Sequence, residues 1–338
     1  MSNTKIIKLS AEHPDISQIQ NAVEVLRAGG LVAFPTETVY GLGADALNTK
    51  AVQKVFEAKG RPSDNPLIVH IASIDNAAQF ADTIPEKGKQ LALRFWPGPL
   101  TLVLQKKYDV PDVVTAGLET VALRVPDHPV TLELLRQFKG GIVGPSANIS
   151  GKPSPTSAEH VLHDLDGKID IILDAGATTI GVESTVIDVT IDPPVILRIG
   201  GLSREDIEKE IGKTSQTQKK DLLRRSPGTR YRHYAPNARV ILIPQNNREA
   251  FVRQFKQMEV EEKKVGAITY SESLNIIVAN NCHITLSSSV GLYARNIFRA
   301  LRELDRMGVD CMLVESVEEK GIGAAVMERL NRAAMQNE

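Results

Sequence analysis

The sequence predicts an α/β protein in two parts, a domain built on a mixed sheet followed by a smaller parallel α/β domain. Three observations carry that expectation. At 338 residues the chain is about twice the ~150 residues of a typical domain. In the first part, predicted strands repeatedly follow one another with only loops between them, which a purely parallel βαβ sheet does not allow. Residues 213–239 carry eight basic side chains against the single acid Asp221 and almost no apolar ones, which marks a boundary. The expected division is a first domain at 1–212, a basic linker at 213–238 and a second domain at 239–338.

The elements follow in order. Ile16, Ile19, Val23 and Leu26 recur at helical spacing over 16–28, and Gly29-Gly30 stops that helix. A strand is expected at 31–34, a helix at 49–58 and a buried strand at 67–71. The next helix, 86–95, is ended by Trp96-Pro97-Gly98-Pro99. Strands are then expected at 100–105, 121–125, 141–144, 169–173, 185–189 and 195–199, with a short helix at 204–211. Beyond the basic stretch, strands at 240–243, 265–269, 276–278 and 311–314 alternate with helical segments such as 290–307 and 322–334, the pattern of a small parallel sheet.

Composition excludes several classes. Forty Lys plus Arg against 41 Asp plus Glu leave a net charge of −1, too balanced for whole-chain affinity to nucleic acid. Eight Phe, six Tyr and one Trp are too few for an extended base-stacking platform. Cys282 and Cys311 match neither a zinc ribbon nor a redox pair, and no secretory signal or long apolar run is visible. A cytoplasmic protein with no membrane contact is expected.

The obvious nucleotide signatures fail. Gly41-Leu42-Gly43-Ala44-Asp45-Ala46 fits a loose dinucleotide pattern, but Pro35 and the polar run after it separate it from the strand, so a glycine-permitted turn is expected there. Gly151-Lys152 is followed by Pro153, so there is no P-loop. More informative is Lys59-Gly60-Arg61-Pro62 at a predicted helix end. Two cations so placed can converge on one polyanion, or can simply complement the helix dipole. Gly144-Pro145-Ser146-Ala147-Asn148-Ile149-Ser150-Gly151 follows a buried strand and could line a nest of backbone N–H groups. Arg124, Arg198 and His70 interrupt predicted apolar strands, where each needs either an internal acid or a shared anionic ligand. His160 and His163 suit a solvated helix face better than a metal site. No nucleophile elbow or activated cysteine is present, so direct nucleotidyl transfer by placement and charge stabilisation fits best.

Several motifs taken together resemble the YrdC-like domain of threonylcarbamoyl-AMP synthases. They are Pro35-Thr36-Glu37-Thr38-Val39-Tyr40-Gly41-Leu42-Gly43, Lys59-Gly60-Arg61-Pro62 with Asn65-Pro66-Leu67, Trp96-Pro97-Gly98-Pro99-Leu100-Thr101, Pro145-Ser146-Ala147-Asn148 and Glu183-Ser184-Thr185-Val186. Ser226-Pro227-Gly228-Thr229-Arg230-Tyr231-Arg232-His233-Tyr234-Ala235-Pro236 and the α/β tail look like the two-domain form of that family, with a Rossmann-like second domain.

The resemblance implies a twisted mixed sheet around a positive cavity and an enzyme that makes threonylcarbamoyl-AMP and pyrophosphate from L-threonine, bicarbonate and ATP with Mg²⁺. The product would feed the tRNA threonylcarbamoyl transferase machinery, with a weak tRNA contact. Lys59, Arg61, Ser146 and Asn148 carry over as the catalytic set, with no protein metal ligands. Thr36, His70, Arg124 and Ser184 are expected around threonine. Lys59, Arg61, Thr115, Asn148, Thr156, Arg198, Tyr231, His233 and Tyr234 are expected around ATP. The linker would close as a lid that excludes water, or be a solvated basic tether. Two rival functions stand beside this one: an RNA-binding protein with a basic concave surface, and another carbamoyl transferase.

Overall fold

Capping chemistry and hydrophobic alternation set the elements of the computed structural model, which describes residues 3–217, 219–227, 233–270, 282–287 and 289–335. The chain forms two units, Met1–Ser150 with Ser154–Thr179 and Glu183–Tyr231, and Gly151–Pro153 with Ile180–Val182 and Arg232–Glu338.

In the first unit the order is β1 (Lys5–Lys8), α1 (Ile16–Arg27), β2 (Val32–Phe34), β3 (Gly41–Asp45), α2 (Thr49–Lys59), β4 (Ile68–His70), a 3-10 turn (Ile74–Gln79), α3 (Glu86–Phe95), β5 (Leu100–Gln105), α4 (Asp112–Thr115) and β6 (Thr120–Arg124). There follow α5 (Pro129–Phe138), β7 (Ile142–Val143), α6 (Ala158–Leu165), β8 (Ile171–Asp174), β9 (Thr185–Asp188), β10 (Val195–Arg198), α7 (Arg204–Ile211), β11 (Ser215–Gln216) and α8 (Lys220–Leu223). Asp15 caps α1 by accepting from the Ser17 and Gln18 amides, and a bond from the Ser17 hydroxyl, then those from the amides, hold its carboxyl below the usual range. Asn48 caps α2 in the same way through the Ala51 amide.

Eleven strands form one sheet in the order β1-β8-β2-β3-β7-β4-β6-β5-β9-β10-β11. Pairing is parallel for β1/β8, β8/β2, β4/β6, β5/β9 and β10/β11 and antiparallel for the rest, so the sheet is mixed as expected. Side chains alternate between its faces. Ala33 and Ile172 enter one core with Leu42, Val55 and Leu123, while Val32, Phe34, Ile171 and Leu173 enter another with Ile19, Leu26 and Leu134. The same alternation puts Ile68, Val103 and Ala122 in a third cluster and Val69, Leu102 and Leu123 in the first. By strand parity His70 and Arg124 therefore share the face of Ile68 and Ala122.

Residues 5–8, to which no element was assigned, form the edge strand β1. Two expectations are corrected. Residues 41–45 are a strand and not a turn: a Cβ on Gly41 would lie 2.7 Å from Phe34 Cζ, so glycine is needed for close packing rather than for bending. The basic stretch is not wholly a tether, because Ser215–Gln216 pairs with β10 and Arg225 pairs with the buried Asp188 at 2.7 Å. A charged residue whose partner is 37 positions away reads in sequence as a solvated one.

The second unit contains β12 (Arg239–Ile243), α9 (Arg248–Val260), β13 (Val265–Thr269), β14 (His283–Thr285), α10 (Val290–Arg306), β15 (Cys311–Glu315) and α11 (Ile322–Ala334). Its strands pair in the order β12-β15-β13-β14, all parallel, which is the Rossmann-like arrangement expected. Buried Glu315 at the end of β15 accepts from the Asn246 and Tyr270 amides at 2.8 and 2.7 Å, tying the ends of β12 and β13 together. The strand expected at 276–278 lies outside the described residues. No helix among the described residues is long and apolar enough to cross a membrane.

Candidate active site

The end of α2 builds the first part of the site. Gly60 adopts φ 59°, the left-handed cap that turns the chain sharply and lets Lys59 and Arg61 point to different partners. Buried Lys59 donates from Nζ to the carbonyl oxygens of Ser146 and Asn148, the latter at 2.7 Å. The Ser150 amide returns a bond to the Lys59 carbonyl at 2.8 Å. Lys59, Ser146 and Asn148, which the sequence separates, are thus brought together. Arg61 donates from Nη2 to the Asn65 and Pro66 carbonyls at 3.2 and 3.0 Å, which holds the loop leading to β4.

The second part gathers at the ends of β2, β4, β6 and β9. His70 and Arg124 are neighbours in register on the parallel pair β4/β6. Burial, then the positive charge of Arg124, hold the His70 imidazole well below its usual pKa, against a bond to the Ile142 backbone, so it is neutral at physiological pH. Its Nδ1 makes no hydrogen bond. Arg124 has the internal acid its position demanded: Glu37 Oε1 lies 2.7 Å from Nη2. Nη2 also donates to Thr38 Oγ1 at 2.9 Å. Thr36 folds its own loop, accepting from the Thr38 and Val39 amides and donating to the Val39 carbonyl at 2.6 Å.

Ser184 shares a hydrogen bond of 2.8 Å with Thr101, and its carbonyl accepts from Arg198 Nε and Nη2 at 3.2 and 2.8 Å. Arg198 Nη1 also reaches the Pro227 carbonyl at 3.2 Å. Ser184 and Arg198, expected around different substrates, are therefore joined directly.

Other expected residues lie apart from these contacts. Thr156 bonds through its amide to His160 Nδ1 at 3.2 Å, which gives that histidine a structural partner. Thr115 is buried on α4 and its hydroxyl makes no hydrogen bond. His233 and Tyr234 fall in the second unit, where Tyr234 stacks on Phe298 at 5.5 Å and sits under the Arg329 guanidinium. Tyr231 lies outside the described residues.

Two residues were missed as individuals, although both stand in the motifs. Glu37 is the partner of Arg124, and nothing local in the sequence marks it as such. Asn65 is fully buried, yet neither atom of its side-chain amide makes a hydrogen bond. Buried polar groups are normally satisfied, so Asn65, Thr115 and His70 offer polar atoms that a ligand or water would complete. Among the described residues no cluster of three His, Cys, Asp or Glu side chains could hold a metal ion.

Along nearly its whole length the chain is similar to known proteins. The Sua5–YciO–YrdC family model, described as telomere recombination, matches residues 24–200, and the model of the threonylcarbamoyl-AMP synthase C-terminal domain matches residues 202–335. A threonylcarbamoyl-AMP synthase of Pyrococcus abyssi is 52% identical over 94% of this chain and 94% of its own length. One from Bacillus subtilis is 47% identical over 97% of this chain and 95% of its own. The crystal structure of P. abyssi Sua5 complexed with L-threonine superposes with a TM-score of 0.93 at 50% identity, covering 98% of each chain.

Proposed function

The chain belongs to the Sua5–YciO–YrdC family, and on that basis we propose that it makes L-threonylcarbamoyl adenylate and pyrophosphate from L-threonine, bicarbonate and ATP. The observation that carries the reading is the near full-length match to threonylcarbamoyl-AMP synthases, together with buried cations gathered beside unsatisfied polar groups in the first unit. The same match disfavours the two rivals, an RNA-binding protein and another carbamoyl transferase.

The α-amine of threonine adds to CO₂ released from bicarbonate, giving a carbamate. One carbamate oxygen attacks the α-phosphorus of ATP, its bond to the bridging oxygen breaks, and pyrophosphate leaves. No covalent enzyme intermediate is required, and the protein's task is to hold three small reactants in line. Lys59 and Arg61 meet the phosphates, and Ser146 and Asn148 donate to phosphate or carbamate oxygens. Thr36, His70 and Ser184 surround threonine, with Arg124 on its carboxylate. Thr115, Asn148, Thr156 and Arg198 serve the nucleotide.

Mg²⁺ is proposed as the ion that would accompany the triphosphate. Bound there, it would neutralise phosphate charge. Cys282 and Cys311 match neither a zinc-ribbon nor a redox spacing, and the cytoplasm is the proposed location. The mixed anhydride formed is short-lived in water, so the tRNA threonylcarbamoyl transferase machinery is the proposed recipient. Incubation with ATP, Mg²⁺, bicarbonate and each amino acid in turn, followed by mass analysis, tests the reading. A carbamoyl adenylate that forms only with threonine is expected; its absence, or formation with another amino acid, rejects it.

A further inference from the structure

Glu37 sits in the loop after β2 with its side chain almost sealed, as is that of its partner Arg124. Oε1 lies 2.7 Å from Arg124 Nη2, and Oε2 accepts from the Asp127 amide at 3.1 Å. The guanidinium is further held by Gly98, whose carbonyl accepts from Nε at 3.3 Å, and by the Thr38 hydroxyl. Only Nη1 is left without a hydrogen bond among the described residues, and it is not one of the polar atoms sealed from solvent. Arg124 therefore presents a single amino group whose positive charge already faces a carboxylate.

Such a group still donates hydrogen bonds, but it attracts anions weakly. A guest anion at Nη1 is drawn by the guanidinium and repelled by Glu37, and every added negative charge on the guest raises both. The pair thus loses most of the preference for multiply charged ligands that a lone buried arginine would have. A singly charged, planar carboxylate can be recognised there by geometry, while phosphate gains little from its extra charge.

We infer that Glu37 determines anion selectivity at Arg124, reserving this position for the carboxylate of the amino acid and excluding the phosphate groups of the other substrate and of pyrophosphate. The inference rests on the reading that Arg124 receives the threonine carboxylate. It assigns Glu37 a task beyond stabilising the fold: it sets which anion the arginine accepts. In Glu37→Gln a neutral oxygen is kept beside Nη2 and the charge is removed. In Glu37→Asp the charge is kept but withdrawn by one methylene.

L-threonine is titrated calorimetrically into the full-length wild type, E37Q, E37D and R124Q, with and without millimolar inorganic phosphate at matched ionic strength. Phosphate should change the wild-type dissociation constant by less than about twofold and weaken threonine binding to E37Q about tenfold, with E37D between them. Loss of fold would lower threonine affinity without creating phosphate competition, so the two effects are distinct. If E37Q does not fold, E37D decides by the same comparison. A variant that responds to phosphate as the wild type does, while R124Q loses threonine binding, overturns the inference alone. An R124Q that binds threonine normally overturns the assignment of Arg124 and the inference with it.

Discussion

Lys59 and Asn148, 89 positions apart, are joined by a 2.7 Å hydrogen bond from the lysine ammonium to the asparagine carbonyl. The end of α2 and the loop after β7 are thereby one structural unit, and a change at either residue is felt at both. Lys59→Ala removes the donor that the Ser146 and Asn148 carbonyls share. The variant is expected to lower kcat for pyrophosphate release by ~10²-fold, as for loss of a transition-state donor. Pyrophosphate release at a near-normal rate would remove Lys59 from the catalytic set.

Ser184, the residue before β9, and Thr101 on β5 share a buried hydrogen bond. Ser184→Ala leaves the Thr101 hydroxyl without that partner and is expected to cost about 1–3 kcal/mol, while Ser184→Ala with Thr101→Val should cost less than the sum of the two single changes. Denaturant unfolding of the four proteins measures the coupling. Strict additivity would show that the bond contributes nothing to stability. If Ser184 also meets threonine, the Michaelis constant for threonine should rise while that for ATP stays fixed.

Gly200 is crossed closely by the backbone at Ser184. A Cβ at position 200 would lie 2.3 Å from both the Glu183 carbonyl oxygen and the Ser184 carbonyl carbon. Both are main-chain atoms and cannot swing aside, so Gly200→Ala should displace the Ser184 segment at a cost of about 1–3 kcal/mol or more. A melting temperature and threonine affinity equal to wild type would contradict that close approach.

His70 and His128 are both held neutral, each mainly by burial, with His128 brought down to about 4. Their folded pKa values lie below the unfolded value of 6.5, so the unfolded chain takes up more protons as pH falls. The stability that neutral imidazoles allow is therefore complete above pH 6.5 and is lost below it, for His128 down to about 4. Denaturation midpoints should begin to fall near pH 6.5, ahead of the carboxylates, and His128→Gln should flatten part of that slope. A wild-type midpoint unchanged down to about pH 5 would show that neither histidine is depressed.

Much of the architecture was legible before any coordinates. The helices 86–95, 204–211 and 322–334 and the strands 100–105 and 265–269 appear where expected, because each is long enough to show its period or is bounded by Pro, Gly or a cap. β7 also falls within the strand expected at 141–144, whereas the two-residue β11 carries no period at all and β3 was hidden because its glycines looked like a turn. In the candidate site, the motifs singled out residues, but not to what each was bound.

By itself the sequence determined the two α/β parts, the family and a list of candidate polar residues, since these depend on local periodicity and on motifs read in order along one strand of chain. Only the tertiary structure decided the partners. That Arg124 faces Glu37, that Lys59 holds the loop of Ser146 and Asn148, and that Arg198 binds Ser184 follow from strand order and register in an eleven-stranded sheet. A buried charge must find compensation somewhere in the fold, and sequence shows the need without showing the place, because the compensating group is brought near by packing rather than by spacing.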